Sequence, residues 1–410
     1  MTFQALKFQC RSCAGKRFAS VLDLGATPLA NALVAADAMD RNEARYPLHA
    51  VFCDDCSLVQ ITETVPPELL FSNYVYLSSF SDTAVASAKT IASRLARERR
   101  LGAQSLVIEA ASNDGYLLQH YRDLGVPVLG IEPAANIATI AERNGVPTRC
   151  LFFGREVGER LAAEGLRCDV FHANNVLAHV ADLNGFVAGV KAILKPDGVA
   201  SIEVPYLGDL IDKLEFDTIY HEHLCYFSAT ALDRLFARHD LLLSDVEYLP
   251  IHGGSLRLFV THADAERSGR VRELLDDELR RGLTAFAAYG DFEARVLALR
   301  THLVAVLREF KAAGKSLAAY GASAKGATLL NFCGIRDLID FVADRSTVKQ
   351  GKFTPGTHLP ILPPEALHAR KPDYVLLLTW NFADEILEQQ AAYRNAGGKF
   401  IIPVPEVRVV

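Results

Sequence analysis

The sequence predicts an α/β protein in which a small cysteine-bearing N-terminal domain precedes two Rossmann-like, doubly wound sheets. Three observations predict it. Two C-x-x-C pairs, Cys10/Cys13 and Cys53/Cys56, sit close to the N-terminus. From residue 105 the chain alternates buried-strand and helical patterns, which is the signature of a parallel sheet wound by crossover helices. Near residue 316 a second such series begins. The 410 residues suggest two to four domains at roughly 100–200 residues each, with expected boundaries at 1–70, 71–262 and 263–410.

Composition narrows the function classes. Half the residues are hydrophobic and 22% are charged, as in a globular protein. No apolar run approaches the ~20 residues needed to span a bilayer, and the start MTFQALKFQC lacks the pattern of a signal peptide. A cytoplasmic protein without a membrane partner is expected. The formal net charge is −6 with no long basic block, which argues against a nucleic-acid partner. Nothing forces a dimer; the oligomeric state stays open, a monomer being one option. The remaining cysteines (Cys150, Cys168, Cys225 and Cys333) are scattered singly, so no disulfide framework is indicated.

In the first domain, two residues between cysteines let both sulfurs of a pair reach one tetrahedral ion at ~2.3 Å, and two such pairs close its shell. A structural Zn2+ held by Cys10, Cys13, Cys53 and Cys56 is therefore expected, in preference to chance pairs or a redox disulfide. With four thiolates no position stays open for water, so the ion is structural rather than catalytic. A helix is predicted over about 82–100, where Ala and Arg recur at helical spacing.

In the second domain, SLVIEA, VPVLGIE, DVFHAN and GVASIEV read as buried strands. The first, ending at Glu109, runs into Ser112-Asn113-Asp114-Gly115, a turn followed by a helical stretch at Tyr116–Tyr121. Open α/β sheets bind nucleotide-like ligands at such a turn. The G-x-G-x-x-G fingerprint of dinucleotide folds is absent. S-adenosylmethionine has no pyrophosphate and needs no such cradle. The second strand ends at Glu132-Pro133, where an acid can accept bonds from ribose hydroxyls. The third ends at Asn174-Asn175, with His179 beyond it. That ordered set predicts S-adenosylmethionine.

The segment Tyr220-His221-Glu222-His223-Leu224-Cys225-Tyr226-Phe227-Ser228 is dense in groups that move protons. Histidine titrates near neutral pH and is the commonest general base. Were the segment extended, Glu222 would share a face with Tyr220 and oppose His223; a bend would let all three converge. His252-Gly253-Gly254-Ser255-Leu256-Arg257 follows, with Ser255 and Arg257 as candidates for an anionic substrate.

A charged, mainly helical stretch at 262–314 connects to the third domain. There SLAAYG, LIDFVAD, YVLLLTW and KFIIPV read as strands. Gly321-Ala322-Ser323-Ala324-Lys325-Gly326 follows the first and opens a helix at Ala327–Asn331. Small residues at a helix N-terminus expose N–H groups that suit phosphate, and Lys325 adds charge. Lys349 and Lys352 lie on a later loop and are candidates for the rest of a nucleotide.

Taken in order, the C-x-x-C pairs with LGATPLANAL between them, YVYLSSFSDT, EAASNDGYLL, ANNVLAHV, YHEHLCYFS, HGGSLR and GASAKGATLLN resemble the sugar C-methyltransferase family. The resemblance covers nearly the whole chain. It implies a zinc-binding domain, a class I methyltransferase domain and a Rossmann-like C-terminal domain, with the substrate between the last two. It implies a dTDP-linked 4-keto-6-deoxysugar methylated at C3, with His223 as base. Tyr220, Glu222, His179 and a tyrosine of the YVY segment, Tyr74 or Tyr76, would surround the sugar. Ala110-Ala111 stands where methyltransferases commonly carry glycine. Two other readings compete: a nicotinamide-dependent oxidoreductase on a nucleotide sugar, which lacks its fingerprint, and a zinc-ribbon interaction module, which would have no use for the YHEH cluster.

Overall fold

The computed structural model describes residues 9–71, 77–251 and 253–410. Near the N-terminus, strands β1 (Phe18–Pro28), β2 (Arg45–Cys53) and β3 (Val59–Ile61) pair antiparallel. Their alternation buries Leu22, Leu48, Ala50 and Phe52 on one side. Each cysteine pair is turned by the same device: Ala14 N–H donates to Cys10 O, and Ser57 N–H donates to Cys53 O. Both donors sit at positive φ.

The middle sheet is built from β4 (Val107–Ala110), β5 (Val128–Ile131), β6 (Thr148–Arg149), β7 (Cys168–Asn174) and β8 (Leu194–Pro205), all parallel in the order β8-β7-β4-β5-β6. The chain then leaves this sheet. Its next strand, β9 (Cys225–Tyr226), adds antiparallel to β3, so the N-terminal sheet has a fourth strand donated from far downstream in the chain. Strands β10 (Leu241–Leu249) and β11 (Ser255–His262) return to the middle sheet as a hairpin whose second strand, β11, pairs antiparallel with β8 and leaves β10 at the edge.

The middle sheet is thus mixed rather than purely parallel as its sequence suggests. The reason is local. The β10–β11 connection is too short for a crossover helix, and only a hairpin can follow. Gly253 and Gly254 take φ of 97° and 139° in this turn. A Cβ on Gly253 would lie 2.5 Å from the Glu215 carboxylate, so the turn needs glycine for space as well as for backbone freedom.

Helices Gly269–Arg280 and Phe292–Ala312 lead into the last sheet. It comprises β12 (Leu317–Tyr320), β13 (Val342–Ala343), β14 (Ile361–Leu362), β15 (Tyr374–Leu377), β16 (Lys399–Ile402) and β17 (Arg408–Val409). The order is β14-β13-β12-β15-β16-β17, parallel except for β17. In both large sheets the strand order reverses beside the first strand, between β4 and β7 and between β12 and β15. Those are the positions where open α/β sheets leave a crevice at the carboxyl ends of the strands. No helix among the described residues is long and apolar enough to cross a membrane.

Candidate active site

The four N-terminal cysteines converge. Cys10 Sγ lies 3.5 Å from Cys56 Sγ and Cys13 Sγ lies 3.6 Å from Cys53 Sγ, with all four sulfurs within 4.8 Å of one another. A tetrahedral ion with bonds of ~2.3 Å needs sulfurs about 3.8 Å apart, so the set fits zinc. Packed this tightly the thiols cannot ionise together without a cation: their mutual hydrogen bonds favour the Cys10 thiolate and push Cys53 up to about 12. Gln60 Nε2 donates to Cys10 Sγ at 3.1 Å, while Arg11 donates to the Gln60 carbonyl oxygen of the side chain and to Ile61 O. The sulfur cluster is therefore wired directly to β3.

The middle crevice is acidic. After β4, a tight loop carries Ala111, Asn113 and Gly115 at φ of 48°, 50° and 82°. Ala111 holds the left-handed conformation that glycine would take without cost. A Cβ on Gly115 would meet Val146 at 2.8 Å. Glu132 stitches the loop to β5, its Oε2 accepting from Asn113 N–H at 3.0 Å and its Oε1 from Ala134 N–H at 2.9 Å. Burial raises the carboxyls of Glu132 and, more strongly, Glu109, which also feels Glu132 and Asp114. Buried Glu109 Oε2, Ser112 Oγ, Asp114 Oδ1 and Asn174 Oδ1 have no protein partner among the described residues. Such orphaned acceptors around a loop are what a bound polar ligand satisfies, and they fit S-adenosylmethionine. Asn175 stands at φ 55°, with its N–H on Glu203 O. Pro133 closes the β5 end. The segment after the second cysteine pair caps the loop: Ser78 N–H donates to Asn113 Oδ1 and Ser79 N–H to Asp114 Oδ2. Sequence reasoning did not anticipate that cap.

The YHEH segment is bent, and the extended alternative is corrected. His223 N–H donates to Tyr220 O, closing a turn that brings the two rings together, tilted by 32° with centroids 4.1 Å apart. His223 Nδ1 lies 3.0 Å from Thr218 O. A carbonyl only accepts, so Nδ1 carries the hydrogen and Nε2 is the bare nitrogen, receiving the Tyr220 hydroxyl at 2.8 Å. The His179 ring stands edge-on to His223 at 4.8 Å, and burial lowers its pKa to about 4, so it is neutral. Glu222 is buried; its Oε1 accepts from Asn31 Nδ2 at 2.7 Å, and burial pushes its carboxyl up to about 7. His221 turns the other way, its Nε2 on the carbonyls of Tyr46 and Pro47. A narrow gap beside His223 is lined by Ala178, Tyr206, Thr218 and Tyr226. Tyr74 and Tyr76 lie outside the described residues.

In the last crevice Ser323 caps helix Ala324–Cys333, accepting from Gly326 N–H, so the helix starts three residues earlier than expected and Lys325 falls in its first turn. Lys325 Nζ donates to Asn381 Oδ1 at 3.1 Å and lies 4.7 Å over the Trp380 ring, both from the loop after β15. Burial lowers its pKa, opposed by Asp217 and Glu215. Those two acids come from the middle domain: Asp217 Oδ2 accepts from Trp380 Nε1 at 2.7 Å. Lys349 Nζ reaches Ala322 O at 2.9 Å and Asp344 at 3.8 Å. Lys352 is half-buried on the same loop.

Two expected anion contacts are corrected. Arg257 is buried in β11 and bound to Glu203 at 2.6 Å, Glu247 at 3.6 Å and Ser87 Oγ at 3.1 Å. Its charge is already neutralised inside the sheet. The Ser255 hydroxyl is spent on Ile251 O.

Comparison with known proteins agrees with this geometry. Residues 250–405 match a family described as the C-methyltransferase C-terminal domain, 10–71 a zinc binding domain and 86–244 a methyltransferase domain. The chain is 36% identical over 405 residues to C-methyltransferase NovU of Streptomyces niveus, covering 98% of this chain and 96% of that protein. A ubiquinone biosynthesis O-methyltransferase of Rhodopseudomonas palustris is 28% identical over 93 residues, 23% of this chain and 37% of that one. Among solved structures, the 1,6-didemethyltoxoflavin-N1-methyltransferase of Burkholderia thailandensis is 18% identical, with a TM-score of 0.33 over 44% of this chain and 80% of its own.

Proposed function

Because this chain belongs to the family of S-adenosylmethionine-dependent C-methyltransferases, we propose that it methylates the carbon beside the ketone, C3, of a nucleotide-diphosphate-linked 4-keto-6-deoxysugar, with dTDP as the nucleotide and the cytoplasm as its place of work. The observation that carries this reading is the His223 imidazole. Thr218 O fixes its tautomer, and the unprotonated Nε2 accepts the Tyr220 hydroxyl, with the His179 ring edge-on beside it.

A hydrogen beside a ketone is acidic because the enolate spreads its charge onto oxygen. His223 Nε2 takes that proton once the substrate displaces the Tyr220 hydroxyl, and positioned base catalysis of this kind contributes about 10²–10⁴-fold. Tyr220, Glu222 and neutral His179 supply hydrogen-bonding groups near the developing oxyanion. Glu109, Ser112, Asn113, Asp114, Glu132, Asn174 and Asn175 would hold the cofactor, which supplies an electrophilic methyl group when bound. Holding both reactants in attack geometry contributes up to ~7–11 kcal/mol. Ser323, Ala324, Lys325, Lys349 and Lys352 would hold the diphosphate end.

The test is direct. Purified protein with S-adenosylmethionine and a dTDP-4-keto-6-deoxysugar should yield a C-methylated sugar by NMR, and His223→Asn should abolish turnover while both ligands still bind. Normal turnover in that variant would remove His223 from the role.

A further inference from the structure

The loop that presents His223 belongs to the middle domain by sequence, yet it is held largely by the N-terminal one. Tyr46 and Pro47 carbonyls anchor His221. Ile61 N–H donates to Leu224 O, and β9 pairs with β3 through Val59↔Tyr226 and Gln60↔Cys225. Within that domain the Asn31 side chain bonds the Glu222 side chain directly. It sits in the turn just after β1, 191 residues from its partner.

Resting on the reading above, we propose that Asn31 is a positioning residue for methyl transfer: its carboxamide orients the Glu222 carboxyl and fixes which of its oxygens can carry a proton. Nδ2–H donates to Oε1 at 2.7 Å, so Oε1 must accept. A protonated Glu222 therefore carries its hydrogen on Oε2, as an O–H donor with one defined direction. A donor of that kind suits an oxyanion that develops as His223 removes a proton. Without Asn31 no donor among the described residues restrains the carboxyl, and either oxygen can be protonated.

Burial is the larger influence on Glu222 and raises its pKa; Asn31 opposes it by favouring the ionised form. No charged side chain among the described residues acts on the group. Its titratable neighbours are Tyr220, His221 and His223 on the same segment, and His179, whose ring faces the Glu222 main chain.

The experiment uses the full-length, zinc-loaded enzyme as Asn31→Ala and Asn31→Asp. Asn31→Ala should lower kcat about 10–100-fold, the usual effect of losing an orienting partner, with KM for S-adenosylmethionine unchanged. Losing the N–H donor raises the Glu222 pKa, so the alkaline limb of kcat should move to higher pH. Asn31→Asp places a second carboxyl against the first and should move it further. A ¹³C titration of the Glu222 carboxyl, assigned through Glu222→Gln, should move in parallel without substrate. Variants that keep the wild-type kcat and pH profile, with only a lower Tm, would overturn the inference while leaving the function standing. Wild-type enzyme that methylates no nucleotide-linked keto-sugar would instead overturn the function, and this inference with it.

Discussion

The two large sheets carry the same device with different charges: carboxyls alone gather at the middle crevice, whereas in the last one Lys325 and Lys349 stand among Glu215, Asp217 and Asp344. Each opens a crevice where strand order reverses, and each lines it with the loop after its first strand. In the middle sheet that loop gathers carboxyls: Asp114 on the loop itself, Glu109 at the end of β4 and Glu132 across from it. In the last sheet it gathers Ser323 and Lys325, with Lys349 behind. A negative crevice favours a cationic ligand such as a sulfonium, and a positive helix N-terminus favours a diphosphate. Fold alone therefore does not sort the ligands; a few side chains on equivalent loops do. The base belongs to neither crevice. It rides on a loop that the N-terminal sheet completes through β9.

That arrangement can be broken part by part. The largest effect should follow removal of zinc. Structural sites of this type supply on the order of 10 kcal/mol, and losing it should release β3 and with it β9. Chelation should cut methyl transfer more than ~100-fold while S-adenosylhomocysteine still binds the middle crevice, read by calorimetry. Lys325→Ala comes next. A charge-assisted bond contributes about 1.5–3 kcal/mol, so dTDP affinity should fall roughly 10–100-fold with cofactor affinity unchanged. Glu132→Gln is the mirror test: cofactor affinity should fall about 10-fold and dTDP affinity should hold, an estimate from about 1.4 kcal/mol per decade.

The last effect is on stability alone. Burial raises the Asp217 carboxyl to about 6 in the folded protein, from an ordinary value of 3.8. The folded state therefore holds the proton more tightly, and stability falls as pH rises from about 4 through 6. Asp217→Asn keeps an acceptor for Trp380 and removes that penalty. It should raise stability by about 1–3 kcal/mol at pH 8 and by little at pH 4, checked by denaturant melts at both pH values.

Much of this was legible in the sequence, because local signals coincide with local physics. Cysteine spacing announces the sulfur cluster, and strand–turn–helix alternation announces both Rossmann-like sheets. Ser323, Lys325 and Glu132 follow the ends of strands β12 and β5, where pattern places them. What stayed hidden depends on long-range pairing. Arg257 reads as an anion ligand until β8 and β10 bring Glu203 and Glu247 against it. Asp217 meets Trp380 across 163 residues, and Asn31 meets Glu222 across 191. No periodicity reports such contacts. The bend at Tyr220–His223 was one of two open alternatives, and a single main-chain hydrogen bond decides it.

Proton removal from the sugar, taken apart from methyl transfer, probes the account at its centre. Enzyme bound to S-adenosylhomocysteine should be mixed with the dTDP-4-keto-6-deoxysugar in D2O and followed by NMR. The wild type should wash deuterium into the carbon beside the ketone well above the enzyme-free rate, and His223→Asn should not. Exchange at the wild-type rate in His223→Asn, or none in the wild type, would contradict it.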